Sequence, residues 1–219
     1  MPQESARHRV QRSKARARYD SASVHTILDA GLIAHVGFCV DAQPFVIPML
    51  YARSGDALLL HGSIASRLLR EVGSGIRACV EVTLLDGLVL ARSHFHHSAN
   101  YRSVVAFGTA RAIVDPVEKA DALARFVDAL IPGRAAESRP GNHKELAATA
   151  ALWFTIEDAS AKIREGGVKD EEADLASPYW AGVVPIREVF GTPQPAPEVE
   201  PGHAWPTSVD LLLARNREP

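Results

Sequence analysis

"LIAHVGFCVDAQPFVIPMLYARSGDALLLHG", residues 32–62, contains three short runs of branched and aromatic residues interrupted at two places. The runs are 32–40, 45–53 and 57–62, and the interruptions "DAQP" and "SGD" carry the Asp, Pro and Gly that turns need. Runs this short joined by connections this tight predict three strands in an antiparallel meander.

The same rhythm continues downstream. "SIASRLLREVGSG" reads as a short helix with Ser63 as its capping candidate and Gly73 and Gly75 beyond its end. Two further strands are expected in "IRACVEVTLLDGLVLARS", continuous through a bend at Asp86-Gly87, and another in "RSVVAFGTARAIV". Pro48 and Gly108 stand inside strand patterns, where they mark an edge, a bulge or the close approach of another group.

Upstream, "DSASVHTILDAG" predicts a short helix capped by Ser21 or Ser23, with Val24, Ile27 and Leu28 inward and Gly31 at its end. "DPVEKADALARFVDALIPGR", residues 115–134, is the clearest helix. Asp115 and Glu118 form a capping box, Pro116 takes the first turn, and Val117, Ala120, Leu123, Ala124, Val127 and Leu130 make the expected buried stripe. A helix near "HKELAATA" leads to a last strand, "ALWFTIEDASAKIR". About six strands with helices inserted late exclude a doubly wound parallel sheet and predict a mainly β, α+β chain built on a small antiparallel barrel with helical insertions.

At 219 residues the chain can bury a substantial core, and 47% hydrophobic residues with a net charge of −2 describe an ordinary globular composition. Nothing in that balance points to nucleic acid or a membrane. The longest apolar runs fall short of a spanning helix and no charged-then-apolar leader opens the chain, so a cytoplasmic location is expected. Residues 7–18, "RHRVQRSKARAR", carry six Lys and Arg and almost nothing apolar, so residues 1–18 read as a flexible basic arm. The ordered domain is expected over 19–190, with an irregular tail over 191–219. Cys39 and Cys79 sit in apolar runs and read as buried thiols.

No dinucleotide fingerprint, P-loop, zinc-protease or nucleophile-elbow motif occurs. Chemistry is expected instead at "LLLHGSIASRLLREV", where a strand ends in His61-Gly62 and a helix begins just beyond. Free N–H groups, the Ser63 and Ser66 hydroxyls and the Arg67 fork together suit an anion, although a capped helix with a surface arginine explains the same residues. "NYRSVVAFGTAR" places Tyr101, Arg102 and Ser103 at a sheet end. Lys162 and Arg164 share a strand face and read either as anion contacts or as a solvated edge.

"ILDAGLIAHVGF", "PFVIPMLYA", "LLLHGSIASRLLREV" and "NYRSVVAFGTARAIVD", in this order, resemble the flavin-nucleotide-binding proteins related to pyridoxamine 5′-phosphate oxidase. Within these they are most similar to the branch containing the nitroimidazole-resistance (Nim) proteins. The resemblance spans about 19–190 and implies a six-stranded antiparallel split β-barrel forming a homodimer with FMN at the subunit interface. It implies that Ser63, Ser66 and Arg67 hold the FMN phosphate, that Ile47, Pro48 and Met49 face the flavin ring, and that His61 and Gly62 lie beside it. Tyr101, Arg102 and Ser103 match the stretch that approaches the nucleotide, and Trp180 in "YWAGVVPI" would cover the partner's flavin. His61 matches a histidine associated with the reaction and would donate to the flavin or shuttle a proton; packing at the barrel rim is its other reading. No equivalent of the paired pyridoxal-phosphate-binding residues is found, which speaks against the oxidase reaction itself.

The leading expectation is an FMN-dependent oxidoreductase passing reducing equivalents from a reduced nicotinamide to a small organic acceptor such as a nitroaromatic. FAD, coenzyme F420 and haem stand as alternative cofactors. The competing expectation is a flavin- or haem-binding module without turnover, with His61 or the 94–97 cluster on the iron. His94, His96 and His97 also raise metal-assisted hydrolysis. Strand alternation would put only His94 and His96 on one face, however, and a catalytic zinc wants three ligands, so no metal is expected. His94 and His96 are then candidates for the substrate side of the pocket, or members of a plain polar loop.

Overall fold

The computed structural model describes residues 7–200 and 202–217. The first six residues of the expected basic arm, and residues 201, 218 and 219 of the expected tail, lie outside the described residues. In chain order the elements are β1 (Ala17–Arg18), α1 (Ser21–Ala30), β2 (Ile33–Val40), β3 (Gln43–Ser54), β4 (Ala57–Ser63), α2 (Arg67–Gly73) and β5 (Ala78–Leu90). Then follow β6 (Ser98–Ala112), α3 (Pro116–Leu130), α4 (His143–Ala148), β7 (Thr149–Arg164), β8 (Gly182–Pro185) and α5 (Thr207–Ala214).

Six strands close into a ring in the order β7-β4-β3-β2-β5-β6, with β6 returning to β7 and every pairing antiparallel. This is the six-stranded split barrel with helical insertions that the sequence predicts. Two short strands decorate it, β1 on β7 and β8 on β5. The meander at 32–62 forms as expected, with β2 paired to β3 from Ile33↔Leu50 to Val40↔Gln43. The turn that links them puts Asp41 and Ala42 at positive φ.

The alternation of each strand decides what enters the ring. Val36, Phe38, Tyr51, Leu58, Leu60, Val80, Val82, Val104, Ala106 and Phe154 point inward and form one cluster, closed at its ends by α1 and α2. A second cluster lies outside, where α3 sets Ala122 and Phe126 against Ala52, Leu59, Ile113 and Ala151. The buried ridge of α3 is therefore Ala122 and Phe126 with Leu130 packed beside them, not the expected stripe; Val117, Ala120 and Ala124 are exposed. The i, i+4 spacing of Ala122 and Phe126 offers a small residue beside a large one to a flat outer sheet, and that decides the helix's rotation.

The caps also differ in detail. Asp20, not Ser21 or Ser23, caps α1, accepting from the Ser23 N–H at 2.8 Å. Ser66, not Ser63, caps α2, because Ser63 is still paired with Thr149 as the last residue of β4. Cys39 is exposed rather than buried, and Cys79 half-buried. The reason is the pleat of β2, which turns Cys39 outward, while the Cys79 thiol occupies the space opposite Gly37, where a Cβ would come within 2.8 Å of it.

The basic segment 7–18, expected to be flexible, lies along the sheet. Arg7 donates to Glu157 and Asp158 at 2.9 and 2.5 Å, and Ala17 and Arg18 pair with Lys162 and Ala161. The acids on β7 supply the counter-charge that a reading of the arm's own composition misses. The expected irregular tail contains α5, whose Ser208 is buried. Among the described residues no helix is long and apolar enough to cross a membrane.

Candidate functional site

At the end of β4 the chain leaves the ring through a turn closed by the Ser66 N–H on the Ser63 carbonyl at 2.9 Å. Ser63 Oγ accepts from the Ala65 N–H, and Ser66 Oγ accepts from the Leu69 N–H at 3.5 Å. Leu68, Leu69 and Val72 anchor the seven-residue helix α2 in the core, which leaves Arg67 on the outside. Its guanidinium lies 5.0 Å over the ring of Phe45, which stacks in turn on Phe38 at 5.4 Å. The guanidinium makes no hydrogen bond or ion pair among the described residues, so its N–H groups can meet an anion.

Alternation separates Ile47, Pro48 and Met49. Ile47 and Met49 turn inward and pack against the core, while Pro48 faces out between Val46, 66% exposed, and Leu50, 44% exposed. An apolar strip, Val46, Pro48 and Leu50, thus occupies the outer face of β3, flanked by exposed Ile33 on β2, while Phe45 under Arg67 shares the inner face with Ile47 and Met49.

His61 and Gly62 also take opposite sides of β4. Gly62 faces α2, where a Cβ would meet Leu69 at 3.1 Å. His61 turns to the α3 side, its ring edge-on to Phe126 at 4.2 Å between centroids. Burial holds its imidazole below the usual value, so it stays neutral, and neither ring nitrogen has a hydrogen-bond partner among the described residues.

The remaining predicted residues gather elsewhere. Tyr101, Arg102 and Ser103 lie at the start of β6, opposite Leu85, Leu84 and Thr83. Arg102 is held on both oxygens of Asp86, at 3.0 and 2.7 Å, beside the bulge between Leu85 and Gly87. β8 pairs with β5 over Gly87–Leu90 at this same end, and exposed Trp180 folds across Gly182, where a Cβ would come within 2.6 Å of the indole. His94 and His96 follow β5, not as a strand but in a 3-10 turn capped by Ser93. His96 sits 3.4 Å from Glu171, and His97 Nδ1 lies 2.9 Å from the Ser93 carbonyl. Strand alternation therefore does not apply to these histidines. Among the described residues no group of three or more His, Cys, Asp or Glu is placed to hold a metal ion.

These two groups stand at opposite ends of the barrel. Phe45, under Arg67, is level with Phe38, Ala78 and Gly108 through the strand registers, seven residues along β6 from Tyr101. That is roughly 23 Å at a strand rise of about 3.3 Å per residue. By strand register, then, Arg67 and Tyr101–Ser103 lie far apart within one chain.

Sequence reasoning passed over Asn100 and weighed Arg164 only as a possible anion contact or a solvated edge. Arg164 is in fact buried at the end of β7 and donates to Asn100 Oδ1 and to the carbonyls of Gly166 and Gly167. The "REGG" that ends the strand, Arg164–Gly167, is the local signal, since two glycines free the backbone to turn its carbonyls back on the guanidinium.

The fold recurs in known proteins. The flavocytochrome Anf3 from Azotobacter vinelandii is 43% identical over 95% of this chain and 97% of its own, with a TM-score of 0.88. A FAD and haem binding protein from Mycobacterium smegmatis is 40% identical over 90% of this chain and 97% of its own, with a TM-score of 0.86. A 5-nitroimidazole antibiotic resistance protein, as it is described, from Bacteroides thetaiotaomicron shares the fold at 19% identity and a TM-score of 0.52, over 67% of this chain and 86% of its own. No curated protein matches the sequence. The family model for pyridoxamine 5′-phosphate oxidase matches residues 20–163, from the cap of α1 to the penultimate residue of β7. With the ring of six strands and the Ser66–Arg67 corner inside that span, the chain belongs to the pyridoxamine 5′-phosphate oxidase family.

Proposed function

We propose that the protein is a dimeric flavin-binding redox protein whose flavin phosphate rests on Arg67 and whose ring covers the outward strip of β3. The observation that carries this reading is the Arg67 guanidinium, without a carboxylate partner among the described residues and held on the ring of Phe45, in a strand whose outer face exposes Val46, Pro48 and Leu50. The residues fit the group: a cation with free N–H groups suits a phosphate, and an apolar strip suits a flat ring. The resemblance puts Tyr101, Arg102, Ser103 and Trp180 near the same nucleotide. Their separation from Arg67 supports a site completed by a second copy of the chain. A bound flavin would supply the redox chemistry, accepting electrons from a donor such as a reduced nicotinamide and passing them to a small acceptor. This chain's part is to hold the phosphate, cover the ring and keep water from one face.

Haem is a second cofactor favoured by a specific feature. His61 presents a neutral imidazole with no hydrogen-bond partner among the described residues, the state an iron ligand requires. Two relatives above 30% identity are a flavocytochrome and a FAD and haem binding protein, which also favours FAD over FMN here. In this reading His61 is an iron ligand rather than a proton shuttle, and the protein conducts electrons between two cofactors.

The test is an absorbance spectrum of the purified protein with mass identification of what denaturation releases. Flavin bands are expected in the wild type, together with a haem Soret band that His61→Ala abolishes. Arg67→Met is expected to weaken flavin binding by about ten- to hundredfold, the worth of a charge-assisted hydrogen bond. A colourless protein that takes up no added flavin sinks the proposal.

A further inference from the structure

The hollow beside the Asp86–Arg102 pair, about 270 Å³, is lined by Asp86, Asn100, Arg102, Ile163, Arg164 and Glu165. Arg164 is only 7% exposed, yet its partners there are an amide oxygen and two backbone carbonyls, none of them charged. Buried charges are ordinarily paired, because taking an ion from water without a counter-charge is costly. Asp86 does not serve, since Arg102 engages both of its oxygens. Glu165 lies exposed at the rim.

A second cation stands close by. Pairing of Ala17 with Lys162 brings half-buried Arg16 alongside the end of β7. Desolvation, and after it the charge of Arg16, push the Arg164 guanidinium below its usual value. Arg164 therefore lines, without a carboxylate partner among the described residues, a hollow too small for a flavin ring and large enough for a compact head group, and Arg16, outside the lining, adds its charge from nearby. A phosphate carries about −1.5 to −2 at neutral pH, which matches both cations, and its oxygens fit the planar guanidinium fork. A carboxylate would answer only one of them.

We propose that this hollow binds the phosphate of a small phosphate monoester, with Arg164 and Arg16 as its counter-charges and Asn100 holding the Arg164 fork in place. The site is distinct from the Arg67 corner, which lies at the other end of the barrel; it shares Arg102 with the stretch that the proposed function gives to the nucleotide, and the test separates the two.

The probe is inorganic phosphate, titrated calorimetrically at ionic strength held constant with chloride, into the protein as purified with its flavin content read by absorbance. Saturable binding at one site per chain is expected. Arg164→Met weakens it about ten- to hundredfold, as loss of a charge-assisted bond should. Arg16→Ala weakens it less, and Glu165→Gln tightens it by removing a like charge from the rim. Arg67→Met is expected to lose flavin and keep phosphate, so that failure of one reading is seen apart from failure of the other. Should Arg164→Met fail to fold, Arg16→Ala and Glu165→Gln carry the test. The proposal is overturned if the Arg164 and Arg16 variants titrate like the wild type, if Glu165→Gln weakens binding, or if phosphate binds only to flavin-free protein.

Discussion

His61 shows how a single side chain is set by which face of a strand it occupies. On the Gly62 side of β4 it would face α2; one residue earlier, it lies under Phe126 on α3. Burial there favours the neutral ring over the charged one, so the folded state binds the imidazole proton less readily than the unfolded chain. The stability it contributes is complete above its usual 6.5 and is lost as pH falls below that toward the lower folded value. Thermal unfolding followed between pH 7.5 and 5.5 should therefore fall more steeply for the wild type than for His61→Gln. An equal slope in both proteins would remove the neutral-imidazole basis for an iron ligand.

The barrel's closure depends on β6 and β7, and one residue permits it. A Cβ at Gly108 would lie 1.8 Å from the Thr155 carbonyl oxygen, at the point where the β6–β7 register shifts between Phe107 and Gly108. The contact is with backbone, so no side chain can swing away. Gly108→Ala is expected to cost about 3 kcal/mol or more, the upper end for overpacking, read as a lowered denaturation midpoint. Helix α4 offers a gentler case. Asn142 and Glu145 cap it reciprocally, and Arg139, then the Asn142 N–H, hold the Glu145 carboxyl at about 2 instead of 4.5. Its contribution is present above 4.5 and is lost as pH falls toward 2. Amide protection at the start of α4, measured against the intrinsic exchange rate at each pH, should fall over that interval in the wild type and be lowered already at neutral pH in Glu145→Gln.

At the scale of the whole molecule, the outward strip Ile33, Val46 and Leu50 and the distance between Arg67 and Tyr101 point the same way. A single chain leaves apolar sheet exposed and keeps the two halves of the expected nucleotide site roughly 23 Å apart. Val46→Asp is thus expected to shift the protein toward monomer in light scattering and to lose flavin with it, if the second copy covers the strip and completes the site as proposed. A variant that turned monomeric and kept its flavin would place the cofactor within one chain.

Much of this was legible in the residues. The meander at 32–62, the capped start of α3 and the late helices predicted the ring of six strands, because period, turn chemistry and capping are local properties of the chain. Arg67 was legible for the same reason, lying just beyond a strand end and a capping serine. Tertiary structure alone decided the rest. It rotated α3 onto Ala122 and Phe126, laid the basic segment on the acids of β7, and folded the 94–97 histidines into a turn. It also buried Arg164, because burial depends on which distant segments meet, here the starts of β1 and β6 with the end of β7. A sequence records the charge of each group; only the closed barrel determines which of those charges are left without a partner.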